Sequence, residues 1–471
     1  ELLARERRRR EKLLDRLPVQ DELTRMLALA ADQFALRRPG GGRLLASGYP
    51  GGEEATADSL IALPGVLLAT GRADEAKKLL RACARAAAGG ALPDRLLQAG
   101  GNAAARLHGL PDAHGEEEAA ADEAAATDKA DHVAHAGSLW LFVAAWRYLR
   151  ATGDEALVRD ALLPALAKVA AGHERGAPGG LRVAADGLLE AAPGSPAAAF
   201  RPGKPVEINA LWHNALATLA DLGSRLGDPA QARAWGERAR RVQRRYAERF
   251  WNAAAGCLYD SVPSDGEGDT GAPSGAGGSA GAGGDAGGDA GDAAADRDRR
   301  VTALRAHQVL AIGLPFPLLS KQRAERLLRT LEETLYTAVG LRDVAANVEH
   351  GLAWPWLLGP FLAAQVRLRG EAGRRQALQL VAELDPLLTS GVIGTIAERV
   401  GVEPPHAPAG HTAHAASVGE LLRVYVEDLH PGTTPKRRGP LAPNPRSRPK
   451  PRSRPTAGPQ PGPARGRGRK T

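Results

Sequence analysis

Aromatic residues make up only 4% of this 471-residue sequence, against an apolar content of 43%. A core made from such material must be rich in Ala and Leu. It is large enough for one big helical domain with tails, or for two or three average domains. Cysteine is almost missing: Cys83 and Cys257 lie far apart and form no C-x-x-C pair. That argues against a structural disulfide and a thiolate metal site, and makes a reducing, cytoplasmic location the expectation. No run of about 18 apolar residues exists, so no membrane span is expected. The opening ELLARERRRREKLLDR has no apolar stretch of the signal-peptide kind, and the lack of an initiator Met is expected of part of a longer chain. Period-2 alternation of β-branched residues is nearly absent, so strands are not expected to carry the fold. No nucleophilic Ser or Cys motif occurs, nor a phosphate-cradling Gly loop followed by Lys.

The formal charge of +8 is unevenly placed. Residues 431–471 hold twelve Lys or Arg and no acid, so the remainder carries 8 − 12 = −4. This Pro/Arg-rich end reads as a disordered basic tail. It is either a polyanion-binding segment acting by counterion release or a solvated end that opposes self-association. Residues 262–296 are mostly Gly, Ala, Ser and Asp, with too little to bury to offset ordering entropy, and read as a flexible insertion. The GGDAGGDAGD within it lacks the spacing and strand-formers of calcium repeats. The acidic stretch His114 to Asp131 reads as a surface loop with some helix. The expected organisation is a basic segment at 1–17, a helical domain at 18–430 and the tail at 431–471.

The rest reads as about a dozen helices, near 18–35, 58–70, 73–88, 137–151, 154–172, 207–225, 228–250, 301–313, 320–337, 353–368, 371–388 and 411–428. Asp58 stands where an N-cap belongs, ahead of an apolar face of Leu60, Ile61, Leu63, Leu67 and Leu68. Glycine-containing turns (ATGRADEA, ATGDEAL, RLGDPAQA and RLRGEAGR) join successive helices into hairpins. Helices such as PAQARAWGERARRVQRRY are charged on one face, as outer helices should be. Their alternates, such as SLWLFVAAWRYL and EINALWHNALATL, are apolar nearly all round. The pattern predicts an all-α, (α/α)6 toroid whose parallel inner helices gather their N-termini at one end.

At those N-termini stand GYP with DSLIALPG, GKPVEINALWHNAL, FWN with LYD, GLR, WPWLLGPF, IAE and SVGELLR, in that order. Over residues 20 to 428 this series resembles the amylo-α-1,6-glucosidase domain of glycogen debranching enzymes, a six-hairpin glycosidase. The resemblance implies inverting hydrolysis of the α-1,6-linked glucose stub at glycogen branch points, no cofactor or metal, and a β-rich domain upstream. Inverting chemistry needs two carboxyl groups about 6.5–9.5 Å apart, one protonated and one ionised. The resemblance assigns the general base to Glu398, in the I-x-E stretch. The family's acid is an Asp in a Thr-Trp-Met-Asp segment, and here DGLLEAAPGSPAAAFRPGKPVEIN, Asp186 to Asn209, is shortened and lacks it.

Other departures point the same way. Gly51-Gly52 replaces a family Trp-Phe, and Ala55-Thr56-Ala57-Asp58 replaces Trp-Gly-Arg-Asp. Arg305-Ala306-His307-Gln308 stands for Arg-Pro-Asn-Gln, Glu349 to Ala353 for His-Gln-Gly-Thr-Val, and His414-Ala415-Ala416-Ser417 for Gln-Ala-Trp-Ser. Each keeps a scaffold half and loses a sugar-facing half. Substrate-binding candidates are Asp58, Tyr49, Arg305, Gln308 and Trp354. Asp58 is equally readable as a cap, and Glu398 as a solvated loop carboxylate. Glu207, at an inner helix mouth, is a substitute-acid candidate through desolvation or else a structural or hydroxyl-binding residue; Glu349 and Glu190 are lesser acid candidates. Trp140, Trp146, Trp212 and Trp251 read as packing. His411 and His414, three apart on one expected helix face, lack an acidic third metal ligand. The partner expected is an α-glucan, glycogen or limit dextrin, and the two readings of function are an impaired α-1,6-glucosidase and a non-catalytic glucan-binding or scaffolding relative.

Overall fold

The computed structural model describes residues 1–37, 43–51, 55–95, 136–176, 180–192, 195, 203–264, 302–344, 351–389 and 392–432. Glu349, residues 265–296 of the expected insertion, residues 433–471 of the tail and the acidic stretch 114–131 lie outside them.

The outer helices announce themselves by their burial period. In α4 (Ala73–Ala86) the buried side chains are Ala76, Leu79, Leu80 and Cys83, and in α8 (Pro229–Arg249) Ala232, Trp235, Ala239, Val242 and Tyr246. These are single stripes at helical spacing, with the charged face left to solvent. α2 (Glu22–Asp32), α6 (Leu163–Glu174) and α10 (Lys321–Thr334) complete this kind. Inner helices are buried all round. Every residue of α3 (Thr56–Leu63) is buried, as is every residue of α12 (Ala415–Val424). In α5 (Gly137–Thr152) and α7 (Val206–Leu226) whole runs of consecutive residues are buried. α9 (Leu310–Gly313) follows a short 3-10 turn, Ala306–Val309. α11 (Leu358–Ala382) breaks at Gly370, whose φ of 60° and ψ of −132° divide it into an inner and an outer half, so the RLRGEAGR turn stands as expected. The N-terminal segment forms a helix of its own, α1 (Leu2–Leu14), which packs on α2.

The inner set closes on itself. α3 packs against α5, α5 against α7, α7 against α9, α9 against α11, α11 against α12, and α12 back against α3. That cyclic order is the expected (α/α)6 toroid. The seam between first and last members needs two glycines. A Cβ at Gly65 would overlap the Gly419 carbonyl, and one at Gly419 would press on Ala62; these are the glycines of LPG and SVGELL.

Buried amides lock the inner helices to the loops around them. Asn209 accepts the Leu189 N–H at 2.7 Å and donates to the Leu189 carbonyl at 2.9 Å. Asn214 treats Phe316 alike, at 2.9 and 3.0 Å, and Gln308 treats Leu258 alike, at 3.0 and 2.8 Å. Each side chain imitates a strand partner for one backbone residue, which satisfies polar groups that burial would otherwise penalise. The fully buried Lys204 reaches Asp186 at 2.8 Å, tying DGLL to GKPVEIN.

Two expectations need correction. α3 starts at Thr56 with Ala55 in the cap position, so Asp58 belongs to the first turn and is not the cap; the Ala55 N–H is taken by Ser47 Oγ at 2.6 Å. α12 starts at Ala415, so His411 and His414 precede the helix. Short strands are also more numerous than expected. They include a five-stranded antiparallel sheet of Tyr336–Thr337, Gly340–Arg342, Leu352–Trp354, Arg399–Gly401 and Pro408–Ala409.

Candidate active site

The strands bring the entries of the inner helices together. Gly48–Tyr49 pairs with Ala413–His414, setting the start of α3 beside that of α12. Leu352–Trp354 pairs with Arg399–Gly401, setting the entry of α11 beside the chain that carries Glu398. Lys204–Pro205 pairs with Ser261–Val262, and the Val206 N–H donates to the Asp260 carbonyl at 2.9 Å, fixing the start of α7. The result is a mouth at the N-terminal end of the ring. Below it, Trp140 of α5 and Trp356 at the entry of α11 come from opposite places in the ring order and meet edge-on, centroids 6.0 Å apart.

One bank of the mouth lies where α12 meets α3. Glu398 Oε2 accepts the His411 main-chain N–H at 3.0 Å and faces His411 Nδ1 at 3.1 Å. The rings of His411 and His414 stack with centroids 6.1 Å apart and planes 5° from parallel. His414 Nδ1 lies 3.0 Å from Ser417 Oγ, and its Nε2 lies 3.6 Å from Asp58 Oδ2. Two carboxylate–imidazole pairs thus stand side by side. Among the described residues, no group of three or more His, Cys, Asp or Glu side chains could hold a metal ion.

The facing bank belongs to α7 and α9, and α7 is opposite α12 in the ring order. It contains Glu207, in the first turn of α7, and Asp260, both buried. Arg305 lies 3.3 Å from Asp260 and 3.5 Å from Asp343. The Tyr246 phenol is pushed well above its ordinary pKa, first by burial and then by the charges of Glu207 and Asp260, so both carboxylates share its neighbourhood.

The remaining candidates hold other positions. Tyr49 stacks on Phe34, centroids 5.9 Å apart, and donates its hydroxyl to the Gln33 carbonyl at 3.0 Å; burial raises its pKa. The amide of Gln308 is engaged by Leu258. Trp354 has Arg399 over its ring at 5.5 Å and His307 against it at 5.7 Å. Glu190 pairs with Arg182 at 2.9 Å in a short hairpin. Sequence reasoning missed Asp260 as a neighbour of Arg305 and the His411–Glu398 pair. The first closes the LYD motif; the second joins residues thirteen apart through a loop with no local signature.

The family model for amylo-alpha-1,6-glucosidase matches residues 29–108 and 122–350, ending before Glu398. No curated protein matches the chain. Among solved structures, one described as a wild-type glycosidase is similar at 14% identity with a TM-score of 0.53, covering 88% of this chain and all of that one. A rhamnosidase from Klebsiella oxytoca with rhamnose bound is similar at 14% identity and a TM-score of 0.48, covering 88% of this chain and 65% of that one. This chain therefore spans about two thirds of the rhamnosidase's length. Among the described residues, no helix is long and apolar enough to cross a membrane. With a family model covering more than half its residues, and a ring of six inner helices of the expected order, the chain belongs to the amylo-alpha-1,6-glucosidase family.

Proposed function

We propose that the mouth takes the glucose end of an α-glucan, glycogen or limit dextrin, and that hydrolysis of the natural α-1,6 linkage is impaired. In this reading Glu398 supplies the base function, Asp58 binds sugar hydroxyls, and Arg305 and Trp354 line the approach. The observation that carries it concerns the missing proton donor. The sequence between Ala191 and Gly203 holds no carboxylate, and the two flanking residues are joined by the Ala191 N–H donating to the Gly203 carbonyl at 2.9 Å. Glu190, nearer along the chain, is engaged by Arg182, which leaves Glu207, on the bank facing Glu398, as the substitute-acid candidate. A general acid contributes about 10²–10⁴-fold, so its loss leaves little turnover of an ordinary glycoside.

The test uses leaving groups of two kinds. Fluoride departs without protonation and needs no acid; a sugar oxygen needs one. α-D-Glucosyl fluoride is expected to be hydrolysed with inversion while limit dextrin releases little glucose, and substitution Glu207→Gln removes what remains on dextrin. Equal, rapid turnover of both substrates would contradict the impairment. A second reading, a non-catalytic glucan-binding or scaffolding relative, is favoured by the engagement of Tyr49 and Gln308 with backbone groups. It expects dextrin binding, weakened by Asp58→Ala, with neither substrate turned over.

A further inference from the structure

α8 buries one stripe and turns a basic face outward. Arg233, Arg238, Arg240, Arg241, Arg244 and Arg245 are exposed, against two exposed acids, Glu237 and Glu248. Other outer helices are closer to balance: α8 sets seven arginines against two glutamates, α4 four cations against two acids, and α10 four against three. α1 is basic too, but Glu6 holds its Arg9 and Arg10, and Asp32 also holds Arg9. The chain outside residues 431–471 is net acidic, so the excess on α8 is local. Solvating an outer face calls for charge, not for one sign repeated. Arg240 with Arg244, and Arg241 with Arg245, are like-charged neighbours one turn apart, which works against the helix. Little nearby relieves this. Arg238 pairs with Glu174 and Arg245 meets Glu248 at 2.9 Å, while Arg233, Arg240 and Arg244 form no ion pair among the described residues.

We propose that this face of α8 is a docking surface for duplex nucleic acid, held by its phosphates without readout of sequence. Repeated positive charge complements a polymer of repeated negative charge. The 21 residues of α8 span about 31 Å, close to one duplex turn of about 34–36 Å. Guanidinium forks fit phosphate oxygens two at a time. Trp235 and Tyr246 are buried, so the face offers no ring on which an unpaired base could stack. Between Arg233 and Arg245 no exposed apolar side chain is larger than alanine, which disfavours a lipid surface. Residues 431–471, with twelve Lys or Arg and no acid, add charge of the same sign. Docking on the outer wall needs nothing from the mouth, so it stands or falls independently of glucan chemistry.

The test is binding of the full chain to labelled mixed-sequence DNA of about 30 base pairs, read by fluorescence anisotropy across salt concentrations. Arg240→Glu with Arg244→Glu is expected to weaken binding about 10-fold or more at about 0.1 M salt, and to flatten the slope of log K against log salt by about 2. Arg81→Glu with Arg85→Glu makes the same charge change on exposed residues of α4 and is expected to alter both little. Both variants keep residues 431–471, so their difference isolates α8. If the reversal on α8 lowers the thermal midpoint, Arg240→Ala with Arg244→Ala removes the charges in a good helix former and is expected to flatten the slope alike. Equal losses in the α4 and α8 variants overturn the proposal, as does wild-type affinity in the α8 variant. So does binding of poly-glutamate or phosphatidylserine vesicles as tight as that of the duplex and equally dependent on α8, which would give the face to an acidic protein or a membrane.

Discussion

The two ends of the ring are both charged inside, and they use charge differently. Toward the end at which the inner helices finish, Arg423 is fully buried and bonded to Glu420 at 2.8–3.0 Å and to Asp428 at 2.8 Å. Arg147 reaches Glu427 at 2.6 Å, and Arg367 donates to the Ile312 carbonyl at 2.6 Å. Burial works against the charge of Arg423, but its carboxylate neighbours outweigh burial and raise its pKa. Burial lowers Arg147 and Arg367, and like-charged neighbours add to it. At the mouth, by contrast, imidazoles and carboxylates meet one to one, His411 with Glu398 and His414 with Asp58. Cations at the far end serve structure, and the imidazole–carboxylate pairs at the mouth are the groups to which the proposed function gives a chemical role.

Breaking the far end should have the largest effect. Arg423→Ala strands Glu420 and Asp428, and is expected to cost about 3–5 kcal/mol, read as a large drop in thermal midpoint with the mouth residues untouched. Acid should come next. Burial lowers His173 and His213 from 6.5 to about 4, so both are neutral when folded and proton-binding when unfolded. Their contribution is fully present above pH 6.5 and is lost as pH falls toward 4. At about 1.4 kcal/mol per unit, each accounts for roughly 3 kcal/mol. Urea titrations between pH 7.5 and 4.5 should show the decline, and His173→Gln should flatten it.

The seam is expected to matter less. Gly65→Ala forces α3 and α12 apart, for about 1–3 kcal/mol of overpacking, visible as a lower urea midpoint at unchanged slope. The smallest stability effect should come from the mouth. Asp58→Asn keeps the shape beside His414 and is expected to change unfolding by less than about 1 kcal/mol, while weakening dextrin binding in calorimetry. A loss of stability as large as that of Arg423→Ala would erase the contrast between the two ends.

The ring was legible in the sequence because its information is local. A buried stripe such as Leu79, Leu80 and Cys83 has a period, and the glycine turns punctuate it: Gly71, Gly153 and Gly370 take φ of 72°, 69° and 60°. RLGDPAQA works otherwise, since Gly227 is extended and Asp228 caps α8 through the Ala230 N–H at 2.8 Å. What escaped is non-local. Ser47 takes the Ala55 N–H from eight residues away, so Asp58 looked like the cap. Strands of two or three residues are too short to show alternation. Gln308 and Tyr49 looked sugar-facing because their polar atoms have no visible partner until the backbones of Leu258 and Gln33 arrive. The His411–Glu398 pair depends on Gly410 allowing two stretches to touch.

The meeting of Gly65 with Gly419 has a temporal consequence. During synthesis the first inner helix emerges long before its last neighbour, so its apolar flank waits through most of translation with no permanent cover. The ring can close only when α12 arrives at the very end of the domain, which makes assembly of such a non-local closure slow. Ribosome-stalled chains ending before Ala415 would carry five of the six walls and an open, adhesive slot, the form that chaperones would be expected to hold.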